Sequence, residues 1–197
     1  MSFKNKLEEL FNSSSGILST KEIESAGIPR QYLQLLKNEN KIQMISRGIY
    51  TSNEVFEDEM YCIKLRTNKA VFSHETALYI HGLTDRDPLN YVITLPNGYN
   101  PTRFKNLNLE VHTIKKNLFD VGKTTAKTPY DRDIAVYDKE RTICDIIANR
   151  NNMDKYVLND AIKRYVSSKE KNIYKLTEFA KKFRIQKILH NYLEVLL

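Results

Sequence analysis

Hydrophobic positions in the first fifty residues change period several times, and each change marks an element. Phe3, Leu7, Leu10 and Phe11 fall at i, i+4, i+7 and i+8, which is one face of a helix over residues 3–12. Gly16-Ile17-Leu18 reads as a small strand. Ser19-Thr20-Lys21-Glu22 is a helix start of the capping-box type, in which the Ser19 hydroxyl takes an orphan N–H and Glu22 reaches back to the Ser19 amide. That helix is brief, because Gly27 supplies the left-handed residue that stops it, and Pro29 has its φ already set to begin another. The second helix carries Arg30, Gln31, Gln34, Lys37 and Asn38 on one side and Tyr32, Leu33 and Leu36 on the other. Two β-like runs follow, 41–45 and 49–51, joined by Ser46-Arg47-Gly48. Helix, tight turn, helix, hairpin is the order of a winged helix-turn-helix, whose second helix fits the major groove.

This module is expected to end near Thr51, which divides the chain into a winged helix-turn-helix DNA-binding domain over 1–52 and a C-terminal domain over 53–197. Helical periodicity returns over 54–67, with Phe56, Met60 and Ile63 on one side. Ala70-Val71-Phe72 reads as a short strand, followed by a helix over 73–81 with Ser73 as N-cap and Gly82 closing it. Further strands are expected at 91–95, 107–114 and 134–137. A helix from about Lys139 to Arg150 has Asp138 as its N-cap, and three more helices follow at about 154–167, 173–183 and 185–196. The last carries Ile185, Ile188, Leu189, Tyr192, Leu193 and Leu196 on one stripe. A few strands and then a run of helices make the fold class α+β: an N-terminal winged helix-turn-helix followed by a mixed α/β domain ending in helices.

Composition narrows the function classes. Hydrophobic residues make up 41% of the chain, enough for a packed core. No run of about 18 apolar residues occurs, so no membrane span is expected. The N-terminal residues lack an apolar signal core. Cys62 and Cys144 lie far apart without metal-type spacing, which fits free thiols in a reducing cytoplasm. Net charge is +7, unevenly spread: +2 over 1–52, −1 over 53–162, +7 over 163–187 and −1 over the last ten residues. The basic excess therefore lies on a C-terminal face that includes Lys171, Lys175, Lys181, Lys182, Arg184 and Lys187. Such a face suits a polyanion partner, and it equally suits a solvated helix surface.

The candidate chemistry is that of a DNA reader. Arg30 can contact a guanine edge in two places, and Gln31 and Gln34 can do the same for adenine. Lys37, Lys41 and Arg47 suit phosphates, and Ser19 and Thr20 stand at the helix start as further candidate contacts. The bland alternative is a protein-docking winged helix with these residues solvated. His74 and His81 share a helix face but lie about 10 Å apart along its axis, too far for one ion at bonds of about 2 Å. A packed or hydrogen-bonded role is expected for both. Asp85, Glu110 and Asp133 are the carboxylates a metal-dependent nuclease would use, but Glu110-Val111-His112 has histidine where such a site wants lysine. Neither a nucleophile elbow nor a phosphate-binding glycine loop is present. Arg141 and Asp145 are spaced for an i, i+4 salt bridge, with Arg141 the necessary partner if Asp145 is buried.

Ser19-Thr20-Lys21-Glu22 with Gly27-Ile28-Pro29 and Arg47-Gly48-Ile49-Tyr50 resembles the N-terminal module of AbiEi-type antitoxins. The run from Ser73 to Asp85, SHETALYIHGLTD, and the run from Asp138 to Asp145, DKERTICD, resemble further signatures of that family. The likeness spans most of the chain, from about Lys4 to Asn149, and is weakest in the final helices. It implies a bacterial regulator encoded with a nucleotidyltransferase-like toxin in a type IV system of abortive infection against phage. It implies that the first module represses the shared promoter through inverted repeats in double-stranded DNA. It also implies that the C-terminal domain counters the toxin without a stable complex. It brings no catalytic residue, no metal and no cofactor. The expectation is a cytoplasmic DNA-binding repressor and antitoxin, with a metal-dependent nuclease-like enzyme and a protein-docking module as the rival readings.

Overall fold

The computed structural model describes residues 2–14, 16–104 and 107–196. Its chain forms two compact units, residues 1–68 and 69–197. It is a mixed α and β protein with two separate sheets.

The first unit opens with α1 (Phe3–Ser13), followed by β1 (Ile17–Ser19), α2 (Thr20–Ser25) and α3 (Gln31–Asn38). It closes with β2 (Ile42–Ser46), β3 (Ile49–Ser52) and α4 (Glu59–Arg66). The capping box is present at both ends: Ser19 Oγ accepts from Glu22 N–H, and the Ser19 N–H donates to Glu22 Oε2 at 2.8 Å. Gly27 has φ +73, which stops α2 as expected. The second helix starts at Gln31, two residues after Pro29, with Arg30 in the cap position. The three strands pair antiparallel in the order β1-β3-β2, so the small strand at Ile17 joins the hairpin. Leu7, Phe11, Leu18, Ile23, Ile28, Leu33, Leu36 and Ile42 form the core of this unit. Apolar residues from three helices thereby leave water together, which is the main favourable term for a unit this small.

Two expectations for this unit are corrected. Helix 54–67 starts only at Glu59, where Asp58 caps it by accepting from Tyr61 N–H, and Phe56 lies before it, 79% exposed. The unit also runs past Ser52 to Asn68. Among the contacts that hold the extra segment, α4 packs on β1, the Asn53 N–H donates to the Lys41 carbonyl, and the Val55 side chain fills the space beside Gly16, where a Cβ would overlap it.

The second unit contains β4 (Val71–Phe72), α5 (His74–Ile80), β5 (Tyr91–Pro96) and β6 (Leu109–Ile114). Then come α6 (Lys116–Phe119), β7 (Lys123–Lys127), β8 (Asp133–Tyr137) and α7 (Lys139–Ala148). The chain ends in α8 (Lys155–Ser167), α9 (Ile173–Phe183) and α10 (Gln186–Leu196). The five strands lie in the order β6-β5-β4-β8-β7, parallel at β5–β6 and β4–β8 and antiparallel at β4–β5 and β7–β8. α7 is the centre of this unit, packing against α5, α8, α9 and α10, and every residue from Glu140 to Ile147 is buried. Ile185 and Leu189 of the final stripe are buried in the same core and Ile188, Tyr192 and Leu193 pack against it, while the Leu196 side chain lies outside the described residues. Periodicity along the chain does not signal α6 and β7. The β7 run Lys-Thr-Thr-Ala-Lys has no apolar alternation, because it is an edge strand whose side chains stay largely in water.

Candidate nucleic-acid interface

The α2–α3 pair presents its polar side outward because its apolar side is taken up by the core. In α3, Leu33 and Leu36 are buried and Tyr32 is half-buried, while Gln31, Gln34, Lys37 and Asn38 are exposed. Gln34 Nε2 donates to Asn38 Oδ1 at 2.9 Å, one turn along. Arg30 is exposed at the head of the helix, and its guanidinium Nε donates to the Glu24 carboxylate. That pairing raises the Arg30 pKa further above its ordinary value. The hairpin between β2 and β3 turns on Arg47-Gly48, with Gly48 at φ +75 and Arg47 exposed at the tip. Both the N–H and the hydroxyl of Thr20 donate to the Gly48 carbonyl oxygen, at 2.8 and 3.1 Å. The tip is thereby fastened to the first residue of α2.

The remaining candidates divide by what they already bind. Ser19 is buried, and its hydroxyl donates to Glu22 Oε2 at 2.7 Å inside the capping box. Lys41, assigned above to a phosphate, sits between Glu8 at 2.7 Å and Glu39 at 3.3 Å, and Lys4 closes the cluster on Glu39 at 2.6 Å. The two carboxylates raise the Lys41 pKa. Among the described residues Lys37 and Arg47 have no carboxylate partner. Lys21, which no sequence motif marks as a contact, is likewise exposed and without a carboxylate partner among the described residues, in the first turn of α2. Its only sequence signal is a lysine among polar neighbours, which any solvated helix start would show.

Residues 5–53 match the family model of the AbiEi antitoxin transcriptional regulators. The first unit is similar to those regulators over these residues. Among solved structures, the chain is similar to the RV2827C protein from Mycobacterium tuberculosis, with a TM-score of 0.60 at 12% identity over 91% of this chain and 71% of that one. At that identity the likeness is one of fold. No curated protein matches the chain.

In the second unit the runs 73–85 and 138–145 resolve into packing and hydrogen bonding. Arg141 is fully buried, its guanidinium held between the Tyr137 and Phe183 rings at 4.0 and 4.2 Å. It donates to Asp145 Oδ1 at 2.8 Å and to the carbonyls of Leu118 and Val121 at 2.9 and 2.7 Å. Burial pushes the Asp145 carboxyl up to about 6 against the pull of Arg141. Asp138 caps α7 on the Arg141 N–H, and Glu140 accepts from the Tyr165 hydroxyl at 2.9 Å. In the other run, Thr76 Oγ1 accepts from Val92 N–H at 2.7 Å, and His81 Nε2 lies 2.6 Å from the Tyr137 carbonyl. Ser73 stands at the N-cap position, yet its hydroxyl accepts from Thr94 and meets His74 Nδ1 at 3.0 Å instead of capping the helix. The His74 ring stacks on His112 at 3.9 Å, and burial lowers its pKa to about 3. His74 and His81, at the two ends of α5, are thus packed or hydrogen-bonded.

The three carboxylates of the nuclease reading do not converge. Asp85 pairs with Arg164, Glu110 with His112 and Asp133 with Lys127. Glu110 lies on edge strand β6 and Asp133 on β8, with β5 and β4 between them. Of the basic C-terminal residues, Lys175 bridges Asp138 at 2.9 Å and Glu140 at 3.3 Å, and Lys181 pairs with Glu178 at 2.7 Å. Among the described residues Lys171, Lys182, Arg184 and Lys187 have no carboxylate partner, so the open basic surface is smaller than the charge count suggested. No described helix is long and apolar enough to cross a membrane.

Proposed function

We propose that the first unit is a winged helix-turn-helix that binds double-stranded promoter DNA at inverted repeats, and that the protein represses its own operon. The observation that carries this reading is the outward strip of α3 together with a hairpin tip whose cation has no carboxylate partner among the described residues and whose carbonyl is pinned to α2. In this reading Arg30, Gln31 and Gln34 meet base edges, with Glu24 orienting Arg30. Lys37, Arg47 and Lys21 meet phosphates and supply most of the affinity. Ser19 and Thr20 act by holding the helix and the hairpin tip rather than by touching DNA.

The family match supports a regulator and antitoxin rather than an enzyme. We propose that the second unit counters a nucleotidyltransferase-like toxin in a cytoplasmic type IV system of abortive infection, without forming a stable complex with it. Gel-shift titration of the full chain on its own promoter, at several salt concentrations, tests the first part. Absence of a salt-sensitive specific shift would overturn it and would favour a protein-docking module. Rescue of growth on co-expression with the neighbouring toxin gene tests the second part.

A further inference from the structure

We infer that Leu35 is a base-reading residue and that the half-site lying under α3 has an A·T pair at its centre. The inference rests on the DNA-binding reading above. Leu35 is 46% exposed although Leu33 and Leu36, on either side, are 4% and 0% exposed. Residues three and four apart on a helix are neighbours, so Gln31, Gln34, Leu35 and Asn38 form one outward strip. That strip holds no charged side chain. Arg30 stands at its head, held by Glu24, and Lys37 is set to one side.

The polar groups of the strip are already arranged. With one N–H of Gln34 committed to Asn38 Oδ1, Gln34 keeps its Oε1 acceptor and its second N–H. One acceptor beside one donor is the complement of the major-groove edge of adenine, which offers N6–H and N7. Guanine offers two acceptors there and is best met by an arginine or lysine fork, which the strip lacks. Leu35, beside Gln34, has no hydrogen-bonding group and would leave the polar edge of cytosine or guanine unpaired. The thymine C5 methyl is the major-groove feature an apolar side chain can cover. An adenine under Gln34 and a thymine methyl under Leu35 therefore satisfy the strip together.

The test uses the full chain and duplexes selected by it from a randomised pool. Selected half-sites should carry A·T pairs at the centre, and replacing the central thymines by deoxyuracil removes only their methyl groups. This replacement should weaken binding of the wild type by roughly four-fold per half-site, the worth of one buried methyl. It should leave Leu35→Ala unchanged, and that variant should melt as the wild type does because the position is exposed. Half-sites with G·C at the centre, or a uracil effect equal in both proteins or absent from both, would overturn the assignment while leaving DNA binding intact. Failure to select any sequence would overturn the DNA-binding reading, and this inference with it.

Discussion

Thr20 is bonded twice to one atom of Gly48: its N–H and its hydroxyl both donate to the Gly48 carbonyl oxygen. The first residue of α2 and the tip of the β2–β3 hairpin are consequently one rigid piece. Thr20→Val keeps the shape and the N–H bond and loses the hydroxyl bond. It should destabilise the first unit by about 1 kcal/mol, read from denaturant unfolding. Gly48→Ala should be at least as damaging, by about 1–2 kcal/mol, because Gly48 has φ +75, a region alanine avoids.

Arg30→Ala and Gln34→Ala should each weaken specific promoter binding by about 1–3 kcal/mol and leave non-specific binding nearly unchanged. Competition gel shifts with specific and random duplexes measure both quantities. Wild-type affinity in both variants would remove α3 as the reading helix.

Arg47→Ala should lower affinity and make the plot of log affinity against log salt shallower by about one unit, the share of one phosphate contact. Lys41→Ala should leave that slope where it was, since Lys41 is already neutralised by Glu8 and Glu39. The contrast between these two cations separates an exposed charge from an available one.

The C-terminal basic face should behave as two groups. Lys175→Ala breaks a bridge to Asp138 and to buried Glu140 and should lower stability measurably. Lys182→Glu with Lys187→Glu touches exposed residues that have no carboxylate partner among the described residues and should change stability by no more than about 0.5 kcal/mol. The double variant should lose either promoter binding or toxin rescue, which tells the two roles apart. Retention of both would mark this face as plain solvated surface.

His74 links stability to pH. Its folded pKa is about 3, below the ordinary value of 6.5, because burial opposes its charge and His112 and Arg141 stand near it. Below pH 6.5 the unfolded chain takes up a proton at this residue that the folded chain refuses, so the neutral imidazole's contribution is full above 6.5 and is lost as pH falls. His74→Asn tolerates the positive φ of 49° at this position. The stability difference between wild type and this variant should move against the wild type by about 1.4 kcal/mol per pH unit between roughly pH 6 and 4. Urea titrations at successive pH values measure it, and a constant difference would show that His74 is not held neutral.

Most of the fold could be read from periodicity and caps. The capping box at Ser19, the stop at Gly27 and the i, i+4 rows of α1, α3 and α10 are local signals, and each element stands where its signal put it. Edge strand β7 carries no alternation and so no signal. The segment at 54–58 shows the converse: helical spacing of Phe56, Met60 and Ile63 did not make a helix before Asp58, because Asp58 itself is the cap. The candidate site was legible as residue types on one face of α3. Its charge state was not, because the partners of Arg30 and Lys41 come from other elements.

The sequence by itself determined most of the helices and strands with their caps, which face of the amphipathic helices is apolar, and the likeness of residues 5–53 to the AbiEi regulators. These depend on neighbours within one or two turns, and such neighbours are adjacent in the chain. Only the tertiary structure decided which exposed cations are free, that Leu35 is left uncovered beside two buried leucines, and that Thr20 holds the hairpin tip. It also showed that Arg141, already over the Tyr137 ring one turn before it, is closed in by the Phe183 ring and by the carbonyls of Leu118 and Val121, all far from it in the chain. Coulomb attraction and burial depend on distance in space, and residues 28 or 33 apart in sequence, as in Thr20–Gly48 and Lys41–Glu8, meet only once the chain has folded.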